Sequence, residues 1–153
     1  MGRRGSQWGE QGVAMGTERL SGWLRATWAG TAVVPLLLLA IAGSLRPDAS
    51  GSGTHRQLGL PPCSLRMLAG MPCPACGMTT AWSHFARGHW KQSWQTQPAG
   101  CLLAAYGMAW TAMAVSTGVR GFPPSVRTQQ AFAAGILLIA ATSLIHWGRI
   151  VFA

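Results

Sequence analysis

The chain has 153 residues, about the length of a single domain. Only 10% of its residues are charged, against about 25% in ordinary soluble proteins, which excludes a surface that faces water on all sides. The formal net charge is +9, but the basic residues are scattered at the edges of apolar segments. This pattern favours anionic lipid headgroups over nucleic acid as a partner.

Carboxylates are nearly absent. Glu10, Glu18 and Asp48 are the only acidic residues, so no Asp or Glu follows position 48. Most enzyme mechanisms need a carboxylate as acid, base or metal ligand. The composition therefore favours a non-enzymatic role without deciding it.

The first apolar segment covers residues 26–45, which carry no charge. At 1.5 Å per residue a helix of this length spans about 30 Å, the thickness of a bilayer core. Trp23 and Trp28 lie at its start, where indole rings favour the headgroup region, and Pro35 predicts a kink. A cleaved signal peptide is the alternative, since Ala40-Ile41-Ala42 resembles a small-residue cleavage site.

Two further segments, at about 99–119 and 130–148, are also long enough to span and contain no Asp, Glu, Lys or Arg. A soluble helical bundle would need polar faces on these helices. The predicted fold class is therefore all-α: a multi-pass membrane protein with three transmembrane helices in a domain over 23–153. Six basic residues fall on each side of the three spans, so the positive-inside rule gives no orientation.

The remaining segments are connective. Residues 1–22, rich in Gly, Arg, Ser and Gln, predict a mobile basic tail. Residues 47–54 predict a flexible linker, and Gly121-Phe122-Pro123-Pro124 predicts a turn between the second and third spans.

Three of the four cysteines, Cys63, Cys73 and Cys76, lie in a loop and helix segment over 58–91 between the first two spans. Pro74 suits the first position of a helix, so a helix is predicted from Cys73 to about Arg87. Its moderate apolar content places it in the membrane interface. The predicted apolar stripe is Met78, Trp82, Phe85 and His89, and the predicted polar face is Thr80, His84, Arg87 and Lys91.

A thiol redox site is one interpretation of the cysteines. The N-terminus of a helix favours a thiolate, so Cys73 would attack and Cys76 would resolve the mixed disulfide. The βαβ surroundings of thioredoxin-like motifs are missing, however. Membrane thiol–quinone enzymes usually carry two dithiol pairs, and Cys63 with Cys101 would be an unusual second one.

A metal site, with zinc as the ion, is a second interpretation, since Cys-Pro-x-Cys-Gly forms a zinc-knuckle turn and Cys63 supplies a third sulfur. The fourth ligand is missing from this pattern, because His84 lies about 12 Å beyond Cys76 along a continuous helix. His55 or Cys101 would serve only if the fold brings them near. A structural disulfide, or small buried cysteines in a tight loop, is a third interpretation.

Two other histidines stand close to apolar segments. His146 is the only Asp, Glu, Lys, Arg or His residue inside a predicted span, but its place beside Trp147 and Arg149 favours an interfacial role over a proton relay. His89, on the apolar stripe, is expected to be partly buried.

The motif around the cysteines resembles the uncharacterised bacterial membrane-protein family DUF2752. The similar stretch covers about 58–115 and includes Pro62-Cys63, Gly70-Met71-Pro72-Cys73-Pro74-Ala75-Cys76-Gly77-Met78-Thr79, Gly88 and Pro98. The chain departs from the family pattern at Thr80, His89 and Gln97, where the family usually has Arg, an acid and Asn. Any mechanism that uses an Arg–Asp pair across this helix is thus unavailable here. The resemblance implies an integral protein of the bacterial inner membrane.

The sequence therefore predicts a small, non-enzymatic membrane component that packs against a membrane-protein partner or a second copy of itself. The Gly- and Ala-rich second and third spans would permit close helix contacts. A redox protein using Cys73 and Cys76, and a metal-binding protein using Cys63, Cys73 and Cys76, are the alternatives.

Overall fold

The computed structural model describes residues 19–152. Most of the predicted tail, residues 1–18, lies outside this range. The described chain consists of seven α-helices and one 3₁₀ turn, Thr54–Leu58. The helices are α1 Gly22–Thr31, α2 Val33–Ser44, α3 Ser64–Ala69, α4 Met78–Ala86, α5 Trp90–Thr96, α6 Pro98–Arg120 and α7 Val126–Phe152.

Three stretches are long and apolar enough to cross a membrane: Gly22–Ser44, which joins α1 and α2, Pro98–Arg120 and Val126–Phe152. The predicted all-helical class with three candidate spans is confirmed. The spans begin one to four residues before their predicted segments, and the first one ends one residue earlier than predicted. The predicted turn between the second and third spans also forms, with Gly121 ending α6 in the left-handed conformation at φ 75°.

The first span is interrupted at Ala32, which separates α1 from α2. Pro35 lies three residues further on, has no N–H to donate to the Thr31 carbonyl, and its ring crowds that carbonyl. At the break, the Ala32 N–H donates to Ala29 O at 3.1 Å, which is the three-residue spacing of a tighter turn. The kink predicted from Pro35 therefore appears as a break one turn before it.

Helix α6 lies at the centre and packs against α1, α2, α4, α5 and α7. Its glycines permit these close approaches. A Cβ added at Gly107 would lie 3.1 Å from Pro35 Cβ, one at Gly118 would lie 3.1 Å from Ala29 Cβ, and one at Gly100 would lie 3.0 Å from Ala81 Cβ. The small residues of the second span thus serve contacts within this chain.

Helix α4 begins at Met78, not at Cys73 as predicted. Residues 74–77 form a turn, with Gly77 in the left-handed conformation at φ 88° before the first helical residue. Both cysteines of the CxxC pair therefore precede the helix. The expected thiolate stabilisation by a helix N-terminus accordingly lacks its geometric basis.

The faces of α4 also differ from the prediction. The helix packs against both α2 and α6, and its buried residues are Thr80, Ala81 and Ser83. Thr80, predicted on the polar face, is buried, and His89, expected to be partly buried, is exposed. The buried side is lined by small residues because α2 and α6 approach α4 closely. Gly43 and Gly100 lie at these crossings.

Polar side chains bond backbone groups across this region. Ser83 Oγ donates to Leu45 O at the end of the first span (2.7 Å). Ser93 Oγ, in α5, donates to Ala81 O (2.7 Å). These buried hydroxyls tie the segment between the first two spans to the spans themselves, because a buried carbonyl left unpaired costs about 1–3 kcal/mol.

Candidate metal centre

The three sulfur atoms of Cys63, Cys73 and Cys76 all lie within 4.8 Å of one another. Cys73 Sγ and Cys76 Sγ are 3.5 Å apart. Zn–S bonds of about 2.3 Å in a tetrahedral site place sulfur ligands about 3.8 Å apart. The Cys73–Cys76 separation is slightly shorter than that value and the other two do not exceed 4.8 Å, so shifts on the order of 1 Å would bring the sulfurs to one ion.

The cysteines reach this position because two short loops converge. Cys63 is the N-cap residue of α3, whereas Cys73 and Cys76 belong to the turn that leads into α4. The Cys76 N–H donates to Cys73 O at 3.0 Å and closes that turn. Gly77 follows in the left-handed conformation, and a Cβ at this position would lie only 2.9 Å from Gly51 O. Glycine is therefore required directly after Cys76.

Side chains from distant parts of the chain hold the carbonyls on either side of Cys73. The Trp147 indole N–H donates to Pro72 O (2.6 Å). Pro74 O accepts from Ser143 Oγ (2.8 Å) and from Gln97 Nε2 (2.8 Å). The third span and the start of the second span thereby fix the cysteine turn. Among residues 19–152 neither carbonyl receives a backbone hydrogen bond, so both depend on side-chain donors.

The linker before the 3₁₀ turn supports the other side of the site. Thr54 is fully buried. Its hydroxyl accepts from the Asp48 N–H (3.0 Å) and shares a hydrogen bond with the Thr80 hydroxyl (2.8 Å). The predicted flexible linker over 47–54 is therefore anchored to α4 at Thr54. His55 is the next residue in the chain.

A cavity of about 540 Å³ opens over the three sulfurs. Its charged and titratable lining, besides the cysteines, consists of Asp48, His55, Arg56 and Arg66. Arg66 also donates to Ser52 Oγ at 2.9 Å. Asp48 is the only acidic residue among residues 19–152, so the cavity carries one more positive than negative side chain beside the thiols.

The thiols differ in acidity. The Arg66 backbone N–H, with a further hydrogen bond from Cys73, lowers the pKa of Cys63 to about 7. Burial, together with the hydrogen bond to Cys73, raises the pKa of Cys76 to about 11. The redox interpretation expected the most acidic thiol within the CxxC pair, whereas the lowered pKa belongs to Cys63, at the N-terminus of α3.

The structure separates the candidates for a fourth ligand. Cys101 lies in α6 and does not join the cluster. His84, which the sequence argument excluded by distance, lines a second cavity of about 570 Å³ with His146 and Cys76, but without Cys63 and Cys73. Burial, with the neighbouring His89 and Arg87, lowers the pKa of His84. His55 is the one histidine that lines the same cavity as all three cysteines within residues 19–152.

Residues 63–111 match the model of a protein family of unknown function, DUF2752. The resemblance seen in the sequence is thereby confirmed. The matched segment contains the three clustered cysteines together with Thr80 and Gln97, and it ends inside α6. No curated protein and no solved structure matches the chain.

Sequence reasoning did not assign Thr54, Ser143 or Trp147 to the site. Gln97 offered a signal, because the family resemblance sets it at a position where Asn, another side-chain amide, is expected. Ser143 and Trp147 offered none, since 69 and 75 residues separate them from their carbonyl partners.

Proposed function

We propose that the protein is a small integral membrane protein that binds a zinc ion through Cys63, Cys73 and Cys76. The convergence of a third sulfur on the CxxC pair supports this proposal, because a dithiol redox pair needs only two sulfurs. Thiolate ligands favour zinc and other soft ions over magnesium or calcium. The scarcity of carboxylates agrees with this selectivity.

The acidity of the thiols suits metal capture. A thiol must lose its proton to bind a metal ion. The Cys63 thiol, with a pKa of about 7, is already partly ionised at neutral pH and would make the first bond. A bound cation would then draw the proton from Cys76, whose thiol holds it tightly in the metal-free protein.

The test uses the full chain purified in detergent, with zinc measured by mass spectrometry per mole of protein. About one zinc ion per chain is expected, released by a chelator, with single Ser substitutions at Cys63, Cys73 or Cys76 each lowering occupancy. Cys101→Ser is the matched control and should retain the metal. Equal zinc content in the Cys101→Ser and Cys73→Ser variants would show that the cluster is not the binding site.

Thiol redox exchange is the second candidate, favoured by the 3.5 Å separation of Cys73 Sγ and Cys76 Sγ. Oxidation would join these sulfurs in a disulfide. It would pass two electrons and two protons to a disulfide of a partner protein, which would become two thiols. Trapping of the thiols with an alkylating reagent in intact cells should then show a Cys73–Cys76 disulfide that a chelator does not affect.

We propose the bacterial inner membrane as the location, with the bilayer and its anionic headgroups around the three spans. The family resemblance and the basic residues at the span ends support this placement. A role as an assembly component is compatible with a zinc site, since structural zinc stabilises loops that present surfaces to partners.

A further inference from the structure

We infer that His55 supplies the fourth ligand, so that the ion is held by Cys63, Cys73, Cys76 and His55. This inference rests on the proposed zinc site. Three sulfurs leave one tetrahedral position open, and structural zinc sites almost always fill all four. The open side of the cluster faces the cavity of about 540 Å³, and His55 lines that cavity.

A buried hydrogen bond at the preceding residue, Thr54, holds the backbone of His55 at this cavity. Thr54 is fully buried, and its hydroxyl pairs with Thr80 in α4 (2.8 Å). Thr80 lies four residues after Cys76 in the chain, so one hydrogen bond joins the 3₁₀ turn to the helix that follows the cysteine turn. His55, the next residue, is half-buried at the cavity wall.

The imidazole is not among the groups within 4.8 Å of all three sulfurs. His55 and the three cysteines nevertheless line one and the same cavity. A change of side-chain rotamer can therefore carry a ring nitrogen toward the sulfurs without displacing the backbone at Thr54. The anchored backbone and the open cavity together make His55 a ligand that closes on the ion.

The net charge of the site favours a neutral ligand in the fourth position. Zinc with three thiolates carries one net negative charge. The cavity lining adds the positive charges of Arg56 and Arg66 and the negative charge of Asp48. With a neutral imidazole the whole site is electrically neutral, whereas a carboxylate or a fourth thiolate would leave an uncompensated negative charge. The sole acid of the cavity, Asp48, already bonds the Ser50 hydroxyl (2.6 Å) and lies near Arg56.

The experiment compares zinc affinity for the full chain in detergent micelles, by competition with a chromophoric chelator. His55→Ala should bind zinc at least about tenfold more weakly, since loss of even an outer-shell partner costs about 10–100-fold. Added imidazole should restore much of the lost affinity by filling the vacated position. His84→Ala is the matched control, because that histidine lines the other cavity, and its affinity should equal that of the wild type.

Cobalt(II) substitution gives a readout independent of fold stability. The wild-type chain should show the intense visible bands of a tetrahedral ion with three sulfurs and one nitrogen. His55→Cys should keep a tetrahedral band pattern, shifted to longer wavelength, and gain sulfur-to-cobalt charge-transfer absorption, even if His55→Ala folds poorly. Wild-type affinity in His55→Ala, with no effect of imidazole, would overturn the assignment of His55 while leaving the three-cysteine site intact. No zinc binding by the wild-type chain would overturn both proposals.

Discussion

Gly77→Ala tests whether the cysteine turn depends on a glycine at this position. Gly77 has φ 88°, a conformation that costs a residue with a Cβ about 1–2 kcal/mol. The new Cβ would also lie 2.9 Å from Gly51 O, a backbone atom that cannot rotate away. Overpacking of this kind costs about 1–3 kcal/mol more. The expected loss in free energy of unfolding is therefore about 2–5 kcal/mol.

Gly88→Ala is the matched control. Gly88 has a similar φ of 76°, but a Cβ there would meet no atom within 4 Å. Gly88→Ala should therefore lower the free energy of unfolding only by the cost of the left-handed conformation, about 1–2 kcal/mol. Both variants would be unfolded with SDS in mixed micelles and followed by the fluorescence of the eight tryptophans. Equal destabilisation of the two variants would refute the proposed contact between Gly77 and the Gly51 carbonyl.

Two further predictions concern the thiols and their support. In the metal-free protein, alkylation of Cys63 by iodoacetamide should rise with a midpoint near pH 7 and that of Cys76 near pH 11, because their pKa values are shifted in opposite directions. Mass spectrometry of the alkylated peptides measures this, and coincident midpoints would contradict the geometry. Trp147→Phe removes the bond to Pro72 O and should cost about 0.5–1.5 kcal/mol, lowering zinc affinity by up to about tenfold. Trp110→Phe, which loses a bond to Thr31 Oγ1 in the first span, should leave zinc affinity unchanged.

Length and hydropathy were sufficient to predict the three candidate spans. A helix that crosses a bilayer satisfies its own backbone hydrogen bonds, so the signal is contained in one continuous apolar segment. The turn at Gly121 and the disturbance near Pro35 were also predictable, since each follows from the backbone chemistry of one residue. The start of α4 was not predictable, because Pro74 fits a tight turn as well as a helix N-terminus. The close approach of Gly77 to Gly51 favours the turn.

The candidate site, too, was predictable from the sequence in some respects and not in others. The sequence by itself determined which side chains can bind a soft metal ion, because the three sulfurs and the near absence of carboxylates are properties of composition. The distance argument against His84 assumed a continuous helix from Cys76, whereas α4 begins at Met78, so its place on the second cavity was decided by the tertiary structure. Only the tertiary structure decided that Cys63 meets Cys73 and Cys76, that Cys101 does not, and that His55 lines their cavity. These juxtapositions depend on Thr54 bonding Thr80 and on Trp147 and Ser143 holding the loop carbonyls. Contacts between residues so far apart in the chain leave no local pattern from which they could be predicted.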